Sequence, residues 1–220
     1  MSLPARKLID PAWRKPSVSV ICPFIPKDLQ GLLPGLPEGT ITEISGARSS
    51  GRTTLLQAGL AAATAAGELC AVIDGSDAFD PSSATSAGVR LDRLLWVQCR
   101  HNVRDTLKAA DLILHGGGFR LVVLDLCDLP LVELQRVPPA WWHRLRLTVE
   151  NTPAVLLVAS TTPVLRQAAA IQVELGEARA HWPGTLLNSV DLRVRLRKPA
   201  QSAQSSQSSR TWATLRARAI

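Results

Sequence analysis

The stretch that decides the fold is Gly46-Ala47-Arg48-Ser49-Ser50-Gly51-Arg52-Thr53-Thr54. A predicted strand, Thr40–Ser45, precedes it, and an Ala- and Leu-rich segment, Arg52–Ala66, predicts a helix after it. The stretch matches the phosphate-loop pattern G-x-x-x-x-G-K-[ST] at every required place except the lysine, which is Arg52. Between a strand and a helix, such a loop turns its backbone amides and a helix N-terminus toward a phosphate group.

Arginine at position 52 changes the expected chemistry, because a guanidinium is planar and bulkier than the compact ammonium of lysine. We expect all nine residues, from Gly46 to Thr54, to form a weak site for ATP, with the Thr53 hydroxyl on Mg²⁺. The alternative is a strand–turn–helix that keeps the shape of the loop and binds no nucleotide.

Short apolar runs alternate with helical stretches on both sides of this loop, over residues 38–175. Runs such as Leu121–Leu124 and Val155–Val158 are apolar on both faces, as in parallel strands covered by helices. Strand–helix alternation over this length predicts an α/β domain built on a mainly parallel sheet. The period-two pattern of Val190–Leu196 predicts an antiparallel strand at the C-terminal edge.

Composition and charge divide the chain into three parts: a proline-rich N-terminal arm (1–37), the domain (38–196) and a flexible tail (197–220). The chain has 220 residues and a net charge of +7. The tail holds five cations, no acid and a Gln/Ser-rich linker, which suits an acidic partner such as single-stranded DNA. With no apolar run long enough for a membrane span and no secretory signal, we expect a cytoplasmic chain without a membrane partner. The four separated cysteines predict buried thiols rather than a zinc site or a disulfide scaffold.

Several of these blocks together resemble the bacterial RecA family. The blocks that carry this resemblance are Glu43–Thr54, Cys70–Pro81 with its Asp-Pro ending, and Arg120–Asp125. The resemblance covers about residues 35–160. The resemblance implies a RecA-like P-loop core with ATP and Mg²⁺ as cofactors, and it places Asp125 with Thr53 at the metal. Among RecA-like proteins, the chain looks most similar to the short, RecA- and SulA-related ImuA-type proteins, which act in the SOS response to DNA damage.

The chain departs from the RecA pattern at two catalytic positions. The family's catalytic glutamate is replaced by Ser76, a poor general base, and the adjacent Asp77 is only a weak substitute. The family's γ-phosphate-sensing glutamine, which follows the strand matching Ala154–Ser160, is also missing. Here Thr161-Thr162-Pro163 follows, and the proline predicts the start of a helix.

These departures favour an accessory protein of DNA repair and mutagenic translesion synthesis that hydrolyses ATP slowly or not at all. The resemblance implies a Y-family-like polymerase subunit or RecA as its protein partner. Two alternatives stay open. One is an active, ATP-dependent recombinase that binds single-stranded DNA. The other is a nucleotide-free module that contacts a polymerase or RecA.

Overall fold

A computed structural model describes residues 21–22, 35–183, 185, 189–197 and 212–218 of the chain. Most of the predicted N-terminal arm and the Gln/Ser-rich linker lie outside these residues. Of the arm, Ile21–Cys22 (β1) pairs antiparallel with Leu36–Pro37 (β2) as a small separate sheet.

The domain is built on one large sheet, in which six parallel strands are followed by antiparallel strands within the described residues. The parallel strands, in chain order, are β3 (Thr40–Gly46), β4 (Cys70–Asp74), β5 (Leu94–Gln98), β6 (Leu121–Asp125), β7 (Val155–Ser160) and β8 (Ile171–Leu175). The antiparallel strands are β9 (Arg179–His181), β10 (Ser189–Arg197) and β11 (Ala213–Arg218). The order across the sheet is β11-β10-β8-β3-β7-β6-β4-β5, with β9 also on β10. This arrangement confirms the predicted α/β fold with antiparallel strands at the C-terminal edge.

Helices cover both faces of the sheet because successive strand residues point to opposite sides. The helices are α1 (Arg52–Ala65), α2 (Pro81–Ser86), α3 (Val103–Gly116), α4 (Leu131–Arg136) and α5 (Pro139–Glu150). One core cluster joins α1 and α2 to one face, where Val72 and Val123 lie. The other joins α3 and α5 to the opposite face, where Ile73 and Leu124 lie. No described helix combines the length and the apolar character that crossing a bilayer requires.

The segment after β7 corrects one prediction. Instead of a helix from Pro163, the structure has a short turn, a 3₁₀ helix at Arg166–Ala168 and strand β8. The backbone N–H groups of Val164 and Leu165 donate to the buried Glu43 carboxylate, and Arg166 has a φ of 47°. The positive φ of Arg166 is incompatible with a continuing α-helix. The two hydrogen bonds alone would not exclude one, because first-turn amides have no partner within a helix.

The structure of the C-terminal region also corrects the prediction of a flexible tail. Residues 213–218, assigned from sequence to a flexible tail, form β11 and pair antiparallel with β10, and Arg197 belongs to β10. Just before β11, the Trp212 ring stacks under the guanidinium groups of Arg193 and Arg195 at 5.1 and 4.8 Å. These contacts add to the strand pairing.

The prediction of buried thiols holds for two of the three cysteines whose side chains the structure describes. Cys70 and Cys99 are buried free thiols, and Cys127 is a half-buried one. Of the adjacent tryptophans in α5, Trp142 is core and Trp141 stacks with Arg144.

Candidate nucleotide-binding site

The glycine-rich loop lies between β3 and α1, at the carboxyl edge of the parallel strands. Ser45, just before the loop, pairs in register with Ser160 at the end of β7. Asp125 at the end of β6 pairs with Ala159 and, on its other side, with Asp74 at the end of β4. The sheet therefore brings the predicted loop and the predicted metal carboxylate to one edge, where ligands of open α/β sheets bind.

The loop backbone has left-handed conformations at one serine and one glycine. Ser49 has a φ of 60° and Gly51 a φ of 91°, both in the left-handed region. The N–H of Ser50 donates to the Ala47 carbonyl at 3.3 Å, which closes the turn. Gly51 is also the N-cap of α1 and has no side chain to cap the first helical amides, so these amides remain suited to an anion.

Both glycines of the loop lie in close contact with strands that come late in the chain, β8 and β10. A Cβ on Gly46 would lie 2.5 Å from Ser50 Oγ and 2.9 Å from the Leu175 carbonyl oxygen. A Cβ on Gly51 would lie 2.5 Å from Leu192 Cδ2 of β10. The loop pattern alone explains Gly51 only by the close approach of a phosphate group to the backbone. The packing of Leu192 against it depends on a strand about 140 residues away, which no local pattern indicates.

The polar side chains of the loop fit a phosphate-bearing ligand in part. Ser50 Oγ is buried and has no hydrogen-bond partner among the described residues, as expected of a group that faces an anion. The hydroxyl-bearing Thr53 and Thr54 are exposed in the first turn of α1, as are Ala47, Arg48 and Ser49 in the loop. Arg48 forms an exposed salt bridge with Asp128 at 3.0 Å.

Arg52 does not extend into solvent. Its side chain is buried, and Nη1 donates a hydrogen bond to Thr161 Oγ1 at 3.3 Å. Thr161 follows β7 directly, and its own hydroxyl donates to the Cys127 carbonyl. The guanidinium thus crosses from α1 to the ends of β6 and β7.

Asp125 ends β6 on the same edge of the sheet. Its Oδ1 accepts the N–H of Cys127 at 2.9 Å. Burial raises the pKa of the Asp125 carboxyl, while that hydrogen bond and the charge of Arg52 oppose the rise. The metal-linked role that the resemblance implies for Asp125 stays a prediction.

The candidate base positions are used for structure. Ser76 is buried, and its Oγ accepts the N–H of Asp128 at 3.0 Å. Asp77 has a φ of 50°, and its Oδ1 accepts the N–H of Arg100 at 3.2 Å, toward the turn after β5. The geometry thus gives neither residue the role of a general base aimed at the loop.

Two buried carboxylates that sequence reasoning left out shape the edge of the sheet. Asp74 accepts the N–H groups of Ser76, Ala78 and Phe79, which orders the turn after β4. Glu43 accepts Val164 N–H at 2.6 Å and Leu165 N–H at 3.1 Å, which orders the turn that carries Thr161. Burial raises the pKa of Glu43, and its hydrogen bonds oppose the rise. The available signal was an acid between Thr42 and Ile44 in a strand that the pattern places inside the sheet.

A groove of about 800 Å³ lies next to this edge, between α4 and α5 on one side and residues 162–168 on the other. Apolar side chains such as Leu134 and Val164 contribute to its wall, and the cations Arg146 and Arg166 lie on opposite walls. The sequence pattern did not indicate this groove, because its second wall replaces the helix predicted from Pro163.

Comparisons with known proteins agree with the fold. The RecA N-terminal domain family matches residues 26–134. Protein RecA of Acinetobacter baylyi is 42% identical over 91 residues, which are 41% of this chain and 26% of that protein. Protein RecA of Cutibacterium acnes is 43% identical over 91 residues, with the same shares covered. The match thus spans about a quarter of the length of these relatives.

Similarity of structure extends further along the chain. The crystal structure of the RadB recombinase superposes with a TM-score of 0.62 at 16% identity, covering 86% of this chain and 92% of that one. At this identity the likeness concerns the fold. Together, the glycine-rich loop, the strand order and the RecA matches identify the chain as a RecA-like protein.

Proposed function

We propose that the chain is a cytoplasmic, RecA-like accessory protein of DNA repair that serves mutagenic translesion synthesis and binds a nucleotide without efficient hydrolysis. The observation that carries the proposal is the position of Ser76. Its hydroxyl stands where the RecA pattern has a glutamate, and it already accepts the Asp128 N–H.

A hydroxyl in this position is a poor proton acceptor at neutral pH. Loss of a positioned general base typically lowers a rate by about 10²–10⁴-fold. Asp77 does not compensate, because its carboxylate binds the backbone of Arg100. The loop itself keeps the features that hold phosphate: left-handed Gly51, an uncapped helix N-terminus and the buried Ser50 hydroxyl.

The first test is steady-state hydrolysis of ATP with Mg²⁺, with and without single-stranded DNA. We expect background turnover in both conditions. Arg52→Lys restores the lysine of the pattern but leaves Ser76, so it should stay at background too. DNA-stimulated turnover of about one per second or faster, in the usual enzyme range, would contradict the proposal and support an active recombinase.

The recombinase alternative has one observation in its favour, the groove between α4, α5 and residues 162–168. Arg146 and Arg166 on its walls could hold the phosphates of single-stranded DNA. Anisotropy titration of a labelled oligonucleotide tests this: Arg146→Ala should weaken binding and reduce its salt dependence. Arg104→Ala is the matched control, since Arg104 is an exposed arginine on α3. Strand-exchange activity would favour the recombinase, and DNA binding without exchange the accessory role.

The interaction-module alternative differs in nucleotide binding. Calorimetry that detects no binding of ADP or ATP at millimolar concentration would support it. The partner is tested separately, by co-purification of the chain with a Y-family-like polymerase subunit or with RecA. Gene deletion should lower damage-induced mutation frequency and leave recombination frequency unchanged.

A further inference from the structure

The contact between Arg52 and Thr161 bears on which nucleotide the loop accepts. In a phosphate loop, the backbone amides hold the inner phosphates. The distal phosphate and its metal lie farther out, between the loop's hydroxyl residue and the strand-end carboxylate. In this chain that carboxylate is Asp125 at the end of β6, and the Arg52 guanidinium hydrogen-bonds Thr161, directly after the neighbouring strand β7.

This position of Arg52 is supported by burial and by one hydrogen bond to an ordered acceptor. The residue is only 8% exposed. Its acceptor, Thr161, is fixed by its hydrogen bond to the Cys127 carbonyl. The following turn is fixed by the Glu43 carboxylate through Val164 and Leu165. A third phosphate would have to displace a guanidinium that the fold has already engaged.

From this geometry we infer that the site prefers a nucleoside diphosphate to a triphosphate, with Arg52 in place of the metal ion at the terminal phosphate. This inference deepens the proposed function and rests on it. A guanidinium offers parallel N–H donors that match two oxygens of one phosphate, so it supplies both charge and direction there. Mg²⁺ then contributes little to affinity, since a cation of the protein already neutralises the outer phosphate.

The test is calorimetry of the full chain with ADP and with a non-hydrolysable ATP analogue, each with Mg²⁺ and with a chelator. We expect ADP to bind at least about tenfold more tightly, and Mg²⁺ to change ADP affinity by less than about threefold. Arg52→Lys should remove the preference for ADP, because an ammonium fills less of the outer space. The lysine variant should also make binding of the ATP analogue depend on Mg²⁺.

Variants at Thr161 isolate the contact while keeping the arginine. Thr161→Val removes the acceptor and should bring the ratio of the two affinities toward one. Thr161→Ser keeps the hydroxyl and should retain the preference. Thr162→Val, at the neighbouring exposed threonine, is the matched control and should leave the ratio unchanged. Thermal unfolding of each variant shows whether it has folded.

The possible failures are distinguishable. If neither nucleotide binds to the wild-type chain, both the inference and the proposed nucleotide site are wrong. If the ATP analogue binds as tightly as ADP or more tightly, the inference is overturned and the nucleotide site stands. The inference is likewise overturned if a folded Thr161→Val variant keeps the preference for ADP intact.

Discussion

Replacement of Gly51 by alanine tests the packing of the C-terminal strands against the phosphate loop. The added Cβ would lie 2.5 Å from Leu192 Cδ2 and 3.3 Å from Cδ1, well inside van der Waals contact. Alanine would also have to adopt the left-handed φ of 91°. The left-handed conformation costs roughly 1–2 kcal/mol, and overpacking typically adds about 1–3 kcal/mol. Gly51→Ala should therefore lower the free energy of unfolding by about 2–5 kcal/mol.

The chain provides a matched control for the backbone part of this cost. Gly67 has a φ of 84°, and a Cβ on it would meet nothing within 4 Å. Gly67→Ala should therefore show only the conformational cost, about 1–2 kcal/mol. The difference between the two alanine variants then measures the collision with Leu192.

A double-mutant cycle measures the same collision directly. Leu192→Ala alone should cost about 2–5 kcal/mol through the cavity it leaves. Combined with Gly51→Ala, it removes the atoms that the new Cβ would meet. The double variant should thus be more stable than the sum of the single effects predicts, by about 1–3 kcal/mol.

The assay is equilibrium unfolding in urea, followed by the tryptophan signal. If Gly51→Ala costs no more than Gly67→Ala, or if the cycle is additive, Leu192 does not pack on the loop as described. The same reasoning makes Gly51→Val a poor test of phosphate binding. Its larger side chain would disturb β10 as well as the loop.

Three further predictions concern buried groups. Burial raises the pKa of Glu43 above its ordinary 4.5, so its stabilising contribution is complete below that pH and is lost as pH rises through the raised pKa. Glu43→Gln should therefore flatten the pH dependence of the urea midpoint, measured from about pH 4 to about pH 8, and a wild-type slope in the variant would contradict this assignment. Burial, with the nearby charge of Glu68, raises the pKa of Cys70 to about 12. Its reaction with a thiol reagent at neutral pH should be on the order of a thousandfold slower in the native chain than in urea, as mass spectrometry can follow, and equal rates would show an accessible thiolate. Leu145→Ala, at a fully buried site in α5, should cost about 2–5 kcal/mol in urea unfolding, and Leu147→Ala, at a half-exposed site farther along the same helix, less than about 0.5 kcal/mol. Equal costs would mean that α5 presents a different face to the core.

Local patterns were sufficient for the elements of the central sheet. Strands such as β6 and β7 are apolar on both faces, and α3 and α5 begin at Asn102 and near Pro139, which are recognisable start signals. The phosphate loop was identifiable for the same reason, because the glycines, the strand and the helix that define it are contiguous.

The rest depended on contacts between distant segments. The prediction of a helix from Pro163 failed because the chain turns at Arg166, with its φ of 47°, and continues into β8, which pairs with β3 about 130 residues earlier. Strand β11 was not predicted, because it forms by pairing with β10, which lies on the other side of the Gln/Ser-rich linker in the sequence. Within the site, the sequence could place Arg52 in the loop but could not give its direction. That direction is set by Thr161, at the end of a strand that only the folded sheet brings near.

The position of β3 in the sheet has a consequence for how the chain is made. Strand β3 carries the phosphate loop, yet both of its neighbours come much later in the chain: Thr40 lies opposite Val155, and Thr42 opposite Ile171. A ribosome adds about 5–20 residues per second. The loop therefore leaves the ribosome several seconds or more before the strands that support it. During this interval the β3 segment has neither of the strands that pair with it in the folded sheet. Any ability of this loop to hold a nucleotide thus arises only after Val155 and Ile171 of the supporting strands have been made.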